Sequence, residues 1–336
     1  MTYYRPIART DHARPDGALS LAGGWTWFDM AEAITRDAPS RLIPASSLPE
    51  KVRQRLTAAR APICGLSFGR PRLMGILNVT PDSFSDGGRH NAPDQAIAHT
   101  GMMVAAGADM IDVGGESTRP GAEPVPIDAE ISRTAPVIAA IRAAHDVPIS
   151  IDTRKTPVAQ AAYQSGAALV NDVAGFTFDD TLAPFCAAND LPVCVMHSQG
   201  RPETMQIDPR YDHPALDIYD WLSERVEALV ATGIPRDQII VDPGIGFGKT
   251  RAHNLTLLQN LSLFHGLGCP VLLGASRKRF IGDLSGVSEA SERIPGSLAV
   301  ALAGVAQGMQ ILRIHDVAET AAAIKLWRAA TQGVSE

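Results

Sequence analysis

The sequence predicts an α/β fold, a (β/α)8 TIM barrel over residues 70–336 with an N-terminal extension over residues 1–69. Three observations predict it. From residue 72, short apolar runs alternate with helical segments eight times over about 260 residues, near the usual size of this barrel. The runs are continuously apolar, as parallel strands buried on both faces are. Each run also ends in a polar or glycine-bearing cluster, first at 78–88 (NVTPDSFSDGG), then at Gly114, Asp152, Asn171, His197, Asp242, Ser276 and His315. The strand ends of such a barrel form one rim, and reaction sites lie there. A doubly wound open sheet is the structural alternative. The eight units, with no glycine-rich dinucleotide turn after the first strand, count against it.

In chain order, the extension is rich in Pro, Gly and Arg and carries an aromatic patch at Trp25–Phe28. It is expected to lie against the barrel rather than fold alone. Ser47-Leu48-Pro49-Glu50 reads as a capping box that opens a helix to about residue 60, with Val52, Leu56 and Ala59 on one face. Strands are expected at 73–79, 110–113, 148–151, 168–171, 192–196, 238–241, 270–273 and 309–314. Helices are expected at 94–106, 128–144, 156–164, 181–188, 214–232, 253–263, 291–307 and 317–330. Gly166, Gly233, Gly268 and Gly308 fall at or just past helix C-termini, where a left-handed cap favours glycine.

Composition narrows the function. The 336 residues carry a net charge of −6 and are 45% hydrophobic, which suits a globular enzyme and disfavours a nucleic-acid surface. The four cysteines form no C-x-x-C pair, so neither a zinc site nor a disulfide framework is expected. There is no apolar signal core at the start and no run long enough for a membrane helix. The expectation is a reduced, cytoplasmic protein with small-molecule substrates and no nucleic-acid or membrane partner.

The chemistry is read from the rim. The loop 242–250 (DPGIGFGKT) ends like a phosphate-binding P-loop, but Pro243 stands where that motif needs its first glycine. It is either a tight turn that needs unusual dihedrals or part of a small-molecule site; its position after an apolar strand favours the latter. Asp152, Asn171 and Asp242 each end a strand. Singly, Asp152 or Asn171 could cap the next helix. Together, two carboxylates and an amide in an apolar mouth suit a ligand with several N–H donors on one edge, such as a pterin or guanine-like ring. Arg119, Arg277, Lys278, Arg313 and His315 form a cationic set on the rim of a net-negative protein, which points to an anion. Arg313 and His315, two residues apart, project to the same side of a strand. His197 reads as packing or orienting a neighbour rather than binding metal. His253 reads as lying at a helix start.

Jointly, the segments 75–88 (GILNVTPDSFSDGG), 112–122 (DVGGESTRPGA), 149–155 (ISIDTRK), 170–175 (VNDVAG), 195–197 (VMH), 242–249 (DPGIGFGK), 274–280 (GASRKRF) and 313–317 (RIHDV) closely resemble the dihydropteroate synthase family of folate biosynthesis. They cover the whole barrel in that family's order. The resemblance implies a transferase, a sulfonamide target, in which 4-aminobenzoate displaces diphosphate from 6-hydroxymethyl-7,8-dihydropterin diphosphate. It implies that Asp152, Asn171, Asp242 and Lys278 hold the pterin. It places Asn78, Arg313 and His315 on the diphosphate, with Mg²⁺ as cofactor and Asn78 as a metal contact. Asp152, Lys278, Arg313 and His315 would carry catalysis. Asp82, Phe84 and Asp86 would belong to a first rim loop, with Asp86 towards the metal side. Thr118, Arg119 and Pro120 would belong to a second, while Phe247 and Arg279 border the aminobenzoate pocket. A homodimer is also implied. A pterin-binding methyltransferase barrel would share the Asp/Asn edge, but it would not need Asn78, Arg313 and His315. A non-catalytic relative would have lost a rim residue, and none is lost.

Overall fold

The computed structural model describes residues 1–79, 92–117, 124–200 and 204–333. Strands Arg72–Asn78, Met110–Gly114, Ile149–Asp152, Leu169–Asp172, Val193–Met196 and Ile239–Asp242 pair in parallel with their sequence neighbours. The last strand, Ile311–Ile314, pairs back onto Arg72–Asn78 on one side and onto Leu272–Leu273 on the other. The remaining seam is joined by a parallel bridge between Val241 and Val271, with Val241 N–H donating to the Pro270 carbonyl at 2.9 Å. The sheet thereby closes into a barrel of eight strands, with helices in the connections.

Period-2 alternation sorts the barrel's interior into levels. At the N-terminal end, Met74, Met110, Leu169, Cys194, Ile240, Leu272 and Ile311 form one apolar cluster. Ile63 and Phe68 plug it from below, on a turn closed by the Ile63–Leu66 bridge. Two residues further along the same strands stand Ile76, Asp112, Asn171, Met196, Asp242, Gly274 and Arg313, four of them able to hydrogen-bond or carry charge. The interior therefore changes from apolar at the closed end to polar at the mouth.

Several elements differ from the sequence expectation. The extension contains an antiparallel sheet of Tyr3–Pro6, Met30–Ile34 and Arg41–Pro44, and a short pair of Leu19–Ser20 with Trp27–Phe28. With helix Glu50–Thr57 these enclose a separate cluster of Leu21, Phe28, Ala31, Ala45, Leu48 and Leu56. The capping box does not form. Pro44 and Pro49 are both extended, so Ser47 closes a 3-10 turn, and the helix begins after Pro49 with no side-chain cap. In the barrel, helix Arg251–Gln259 is shorter than expected and passes into a 3-10 segment, Leu261–Leu267. A further helix, Arg279–Ser285, precedes Ile294–Ala306. His253 is the third helical residue, in a reciprocal cap with Thr250.

The extension is fastened to the barrel by specific bonds. Tyr3 Oη donates to Asp220 Oδ2 at 2.7 Å, Arg36 pairs with Asp217 at 2.6 Å, and Trp25 Nε1 donates to the Val305 carbonyl at 2.9 Å. Arg60 is buried and donates to the carbonyls of His265 and Cys269. With carbonyls rather than a carboxylate as partners, burial lowers its pKa to about 10.

Candidate active site at the barrel mouth

The C-terminal ends of the strands bring Asp152, Asn171 and Asp242 together as buried groups, 8%, 4% and 5% exposed. Asp152 and Asn171 are register partners on adjacent strands. Arg313 projects inward from the last strand. Its Nε donates to Asp112 Oδ2 at 2.6 Å and its Nη2 to Asp152 Oδ2 at 2.7 Å. Asn171 Nδ2 donates to the same Asp112 oxygen at 3.2 Å. Burial pushes the Asp152 carboxyl above the ordinary carboxylate range, and Arg313 opposes that shift. Burial also pushes Asp242 up, against the pull of the Gly244 N–H and of Lys278, Lys249 and Arg313.

The loop after Asp242 owes its path to glycine. Asp242 Oδ1 accepts the Gly244 N–H at 2.7 Å. Gly244 has φ 69°, and a Cβ there would lie 1.9 Å from the His197 carbonyl oxygen. The loop's lysine turns inward: Lys249 is 3% exposed, with Nζ 2.9 Å from His197 Nδ1 and 2.9 Å from the Phe247 carbonyl. It is therefore committed inside the protein, unlike a P-loop lysine. His197 packs edge-on to Trp221 and orients Lys249, in agreement with its sequence reading.

Lys278 lies across this loop, with Nζ 3.9 Å from the centre of the Phe247 ring. Its stem passes so near Gly246 that a Cβ there would lie 3.2 Å from Lys278 Cδ. Asn78 ends its strand exposed to solvent. A Cβ on Gly114 would stand 3.7 Å from Asn78 Oδ1 and 3.9 Å from Asp152 Oδ2, at ordinary contact distance, so both groups border this strand end. His315 N–H donates to Ser276 Oγ, and His315 Nδ1 lies 3.0 Å from the same oxygen. Burial, with Arg313 and Arg277 nearby, lowers His315 to about 4, so the ring is neutral near pH 7.

Not every expected group joins this cluster. Arg277 forms a two-pronged pair with Asp316. The Arg279 side chain is 90% exposed and approaches Asp283 at 3.8 Å. Asp82, Phe84, Asp86, Thr118, Arg119 and Pro120 lie outside the described residues. Among the described residues, no three His, Cys, Asp or Glu side chains are grouped to hold a metal ion.

Two features escaped the sequence reading. One is Asp112; an acid inside the run 110–113 was its signal. The other is a buried ionic network behind the strand carrying Asp152. Lys155 Nζ meets Glu116 at 2.9 Å and Glu130 at 2.7 Å, and Thr153 donates to Glu130. Burial would raise Glu116, but Lys155, the Val125 N–H and Arg154 hold it below the usual range.

Comparison with known proteins places this mouth in a family. The chain matches the model for pterin binding enzymes over residues 74–315. The dihydropteroate synthase of Escherichia coli K12 is 45% identical over 261 residues, covering 78% of this chain and 92% of that protein. The dihydropteroate synthase of Bacillus subtilis is 45% identical over 254 residues, covering 76% and 86%. The solved Yersinia pestis dihydropteroate synthase with a sulfonamide drug has a TM-score of 0.76 at 44% identity, covering 81% of this chain and 98% of that one. The Xanthomonas albilineans dihydropteroate synthase in complex with 7,8-dihydropteroate has a TM-score of 0.72 at 40% identity, covering 80% and 96%. With its barrel matched from end to end and its fold shared at this level of identity, the chain belongs to the pterin binding enzyme family, among the dihydropteroate synthases.

Proposed function

We propose that the chain condenses 6-hydroxymethyl-7,8-dihydropterin diphosphate with 4-aminobenzoate, giving 7,8-dihydropteroate and diphosphate. The observation that carries this reading is the convergence of Asp152, Asn171 and Asp242, three buried acceptors, in the mouth of a pterin-binding barrel beside Lys278. A pterin ring offers several N–H donors on one edge. Buried acceptors that lack such donors would be costly.

Each residue of the mouth takes a role in that reaction. Asp152 and Asp242 face the positive charge that spreads over the dihydropterin as diphosphate leaves. Arg313 spends two of its five N–H donors on Asp112 and Asp152, which leaves donors for an anionic ligand. His315, a neutral imidazole, donates its one ring N–H to diphosphate oxygens. Phe247, under Lys278, offers a ring face to the arylamine. By the family resemblance, Arg279 and the rim-loop residues Asp82, Phe84, Asp86, Thr118, Arg119 and Pro120 would border that side; the Arg279 side chain is exposed towards Asp283, and the six others lie outside the described residues. The arylamine is nucleophilic when neutral, so no activating base is needed.

Asn78 fits Mg²⁺ in one respect: an exposed oxygen donor beside the anion site suits an ion that takes few protein ligands and several phosphate oxygens. Such an ion would neutralise charge on the departing diphosphate. A homodimer and a cytoplasmic location belong to the same reading. No helix among the described residues is long and apolar enough to cross a membrane.

The test is direct. Purified protein with Mg²⁺, the pterin diphosphate and 4-aminobenzoate should form dihydropteroate and release diphosphate. Pterin binding without any diphosphate release over a long incubation overturns the reading.

A further inference from the structure

Asp112 stands inside the barrel, fully buried, one inward-facing position below Asp152. Its Oδ2 collects two donors, Arg313 Nε at 2.6 Å and Asn171 Nδ2 at 3.2 Å. Its Oδ1 has no hydrogen-bond partner among the described residues, and neither has the Ser150 hydroxyl that faces it in register. A buried carboxylate with one oxygen unsatisfied is a poor device for stability. Its value must lie in what the other oxygen orders.

The geometry points to Asp112 as a positioning residue that fixes which end of the Asn171 amide faces the ligand, and so selects ring edges built of N–H donors. The inference rests on the pterin reading above. An ionised carboxylate can only accept. Asn171 must therefore turn its NH2 end to Asp112, and the planar amide turns its carbonyl oxygen away. The same Asp112 oxygen holds Arg313 so that its Nη2 reaches Asp152 at 2.7 Å. One buried group thus sets two of the three acceptors. With the amide fixed, the mouth presents Asp152, Asn171 Oδ1 and Asp242 as acceptors and Lys278 as donor. A ring with an acceptor at the Asn171 position would place two sets of lone pairs together and be rejected. Arg313 Nε can only donate, so an amide at position 112 would still turn its oxygen to this shared point; an alanine there would leave the Asn171 side chain free to sit either way up.

The test uses Asp112→Ala, Asn171→Asp and the double variant that carries both. The probe is 6-hydroxymethyl-7,8-dihydropterin, titrated by calorimetry, with the KM for 4-aminobenzoate measured in parallel. Asp112→Ala should weaken pterin roughly ten- to a hundredfold, the range for a misplaced hydrogen bond in a dry site, and leave the 4-aminobenzoate KM unchanged. In the double variant the carboxylate at position 171 offers an acceptor in either orientation and needs no partner to orient it. It should regain most of the lost affinity, which a merely structural role would not produce. Unchanged pterin binding in Asp112→Ala, or a double variant that binds no better, overturns the inference. Should Asp112→Ala fail to fold, the double variant is compared with Asn171→Asp: tighter pterin binding supports the inference, and equal binding overturns it. A wild-type protein that binds pterin but makes no dihydropteroate would sink the proposed reaction, and these titrations would still decide the role of Asp112.

Discussion

Lys249 Nζ and His197 Nδ1 meet at 2.9 Å beneath the loop that follows Asp242, joining the ends of two adjacent strands. Both groups are buried. Burial pushes the His197 imidazole well below its ordinary range, and the Lys249 charge adds to the shift. Burial also pushes the Lys249 amine down, while Asp242 pulls it back. Lys249 further donates to the carbonyls of His197 and Phe247. The loop carrying Phe247 is therefore fastened from below.

Lys249→Met should test that fastening. It leaves the buried His197 carbonyl and the half-buried Phe247 carbonyl without this donor, and an unsatisfied buried group costs about 1–3 kcal/mol. Urea denaturation should show a loss of about 2–4 kcal/mol. An unchanged midpoint would mean that the loop holds itself.

Asp242→Asn keeps the shape of the mouth and removes one charge facing the ligand. Losing a charged hydrogen bond costs about 1.5–3 kcal/mol, or roughly ten- to a hundredfold in pterin affinity. Calorimetry that finds the affinity unchanged would remove Asp242 from the site.

Arg313 and His315 should now separate. Arg313→Met strips the guanidinium from two buried carboxylates, Asp112 and Asp152, and should cost about 3–5 kcal/mol of stability. Among the described residues, the side-chain hydrogen bond that His315→Ala breaks is the one to Ser276. It should fold normally and weaken the diphosphate substrate more than the plain hydroxymethyl-pterin. Equal losses for both ligands would make His315 structural.

The pH dependence has a definite sign at His265. Its Nε2 lies 2.9 Å from the Gln307 carbonyl, so it donates, and burial with Arg60 nearby lowers its pKa to about 3. Above the unfolded value of about 6.5, neither state is protonated and the stability is fully present. As pH falls from there towards 3, only the unfolded chain takes the proton. Stability is then lost at about 1.4 kcal/mol per pH unit. Asp172, raised by burial to about 6, acts in the opposite direction as pH falls below 6, so the useful quantity is a difference. His265→Gln should lose stability less steeply than the parent between pH 6 and 4. Parallel curves would place the proton elsewhere.

The barrel and the acceptors of its mouth were legible in the sequence. An acid or amide that closes an apolar run of parallel-strand length has few places to go except the rim. Asp152, Asn171 and Asp242 met that local criterion. The tight turn after Asp242 was legible too, and at Gly244 the backbone approaches the His197 carbonyl too closely for a side chain. Those inferences need only the period of a strand and the cost of burying a polar group.

The rest depended on partners far along the chain. Arg277 and Arg313 look alike in sequence, yet one is spent on Asp316 and the other on Asp112 and Asp152. Asp112 reads as an anomaly within a strand until barrel closure brings Arg313 and Asn171 to it. The small sheets of the extension were missed because Tyr3–Pro6 finds its partner at Met30–Ile34 across an irregular connection. Strand ends are fixed by local periodicity, whereas charge pairing and edge pairing are fixed by which distant groups closure makes neighbours. Only the tertiary structure decided those.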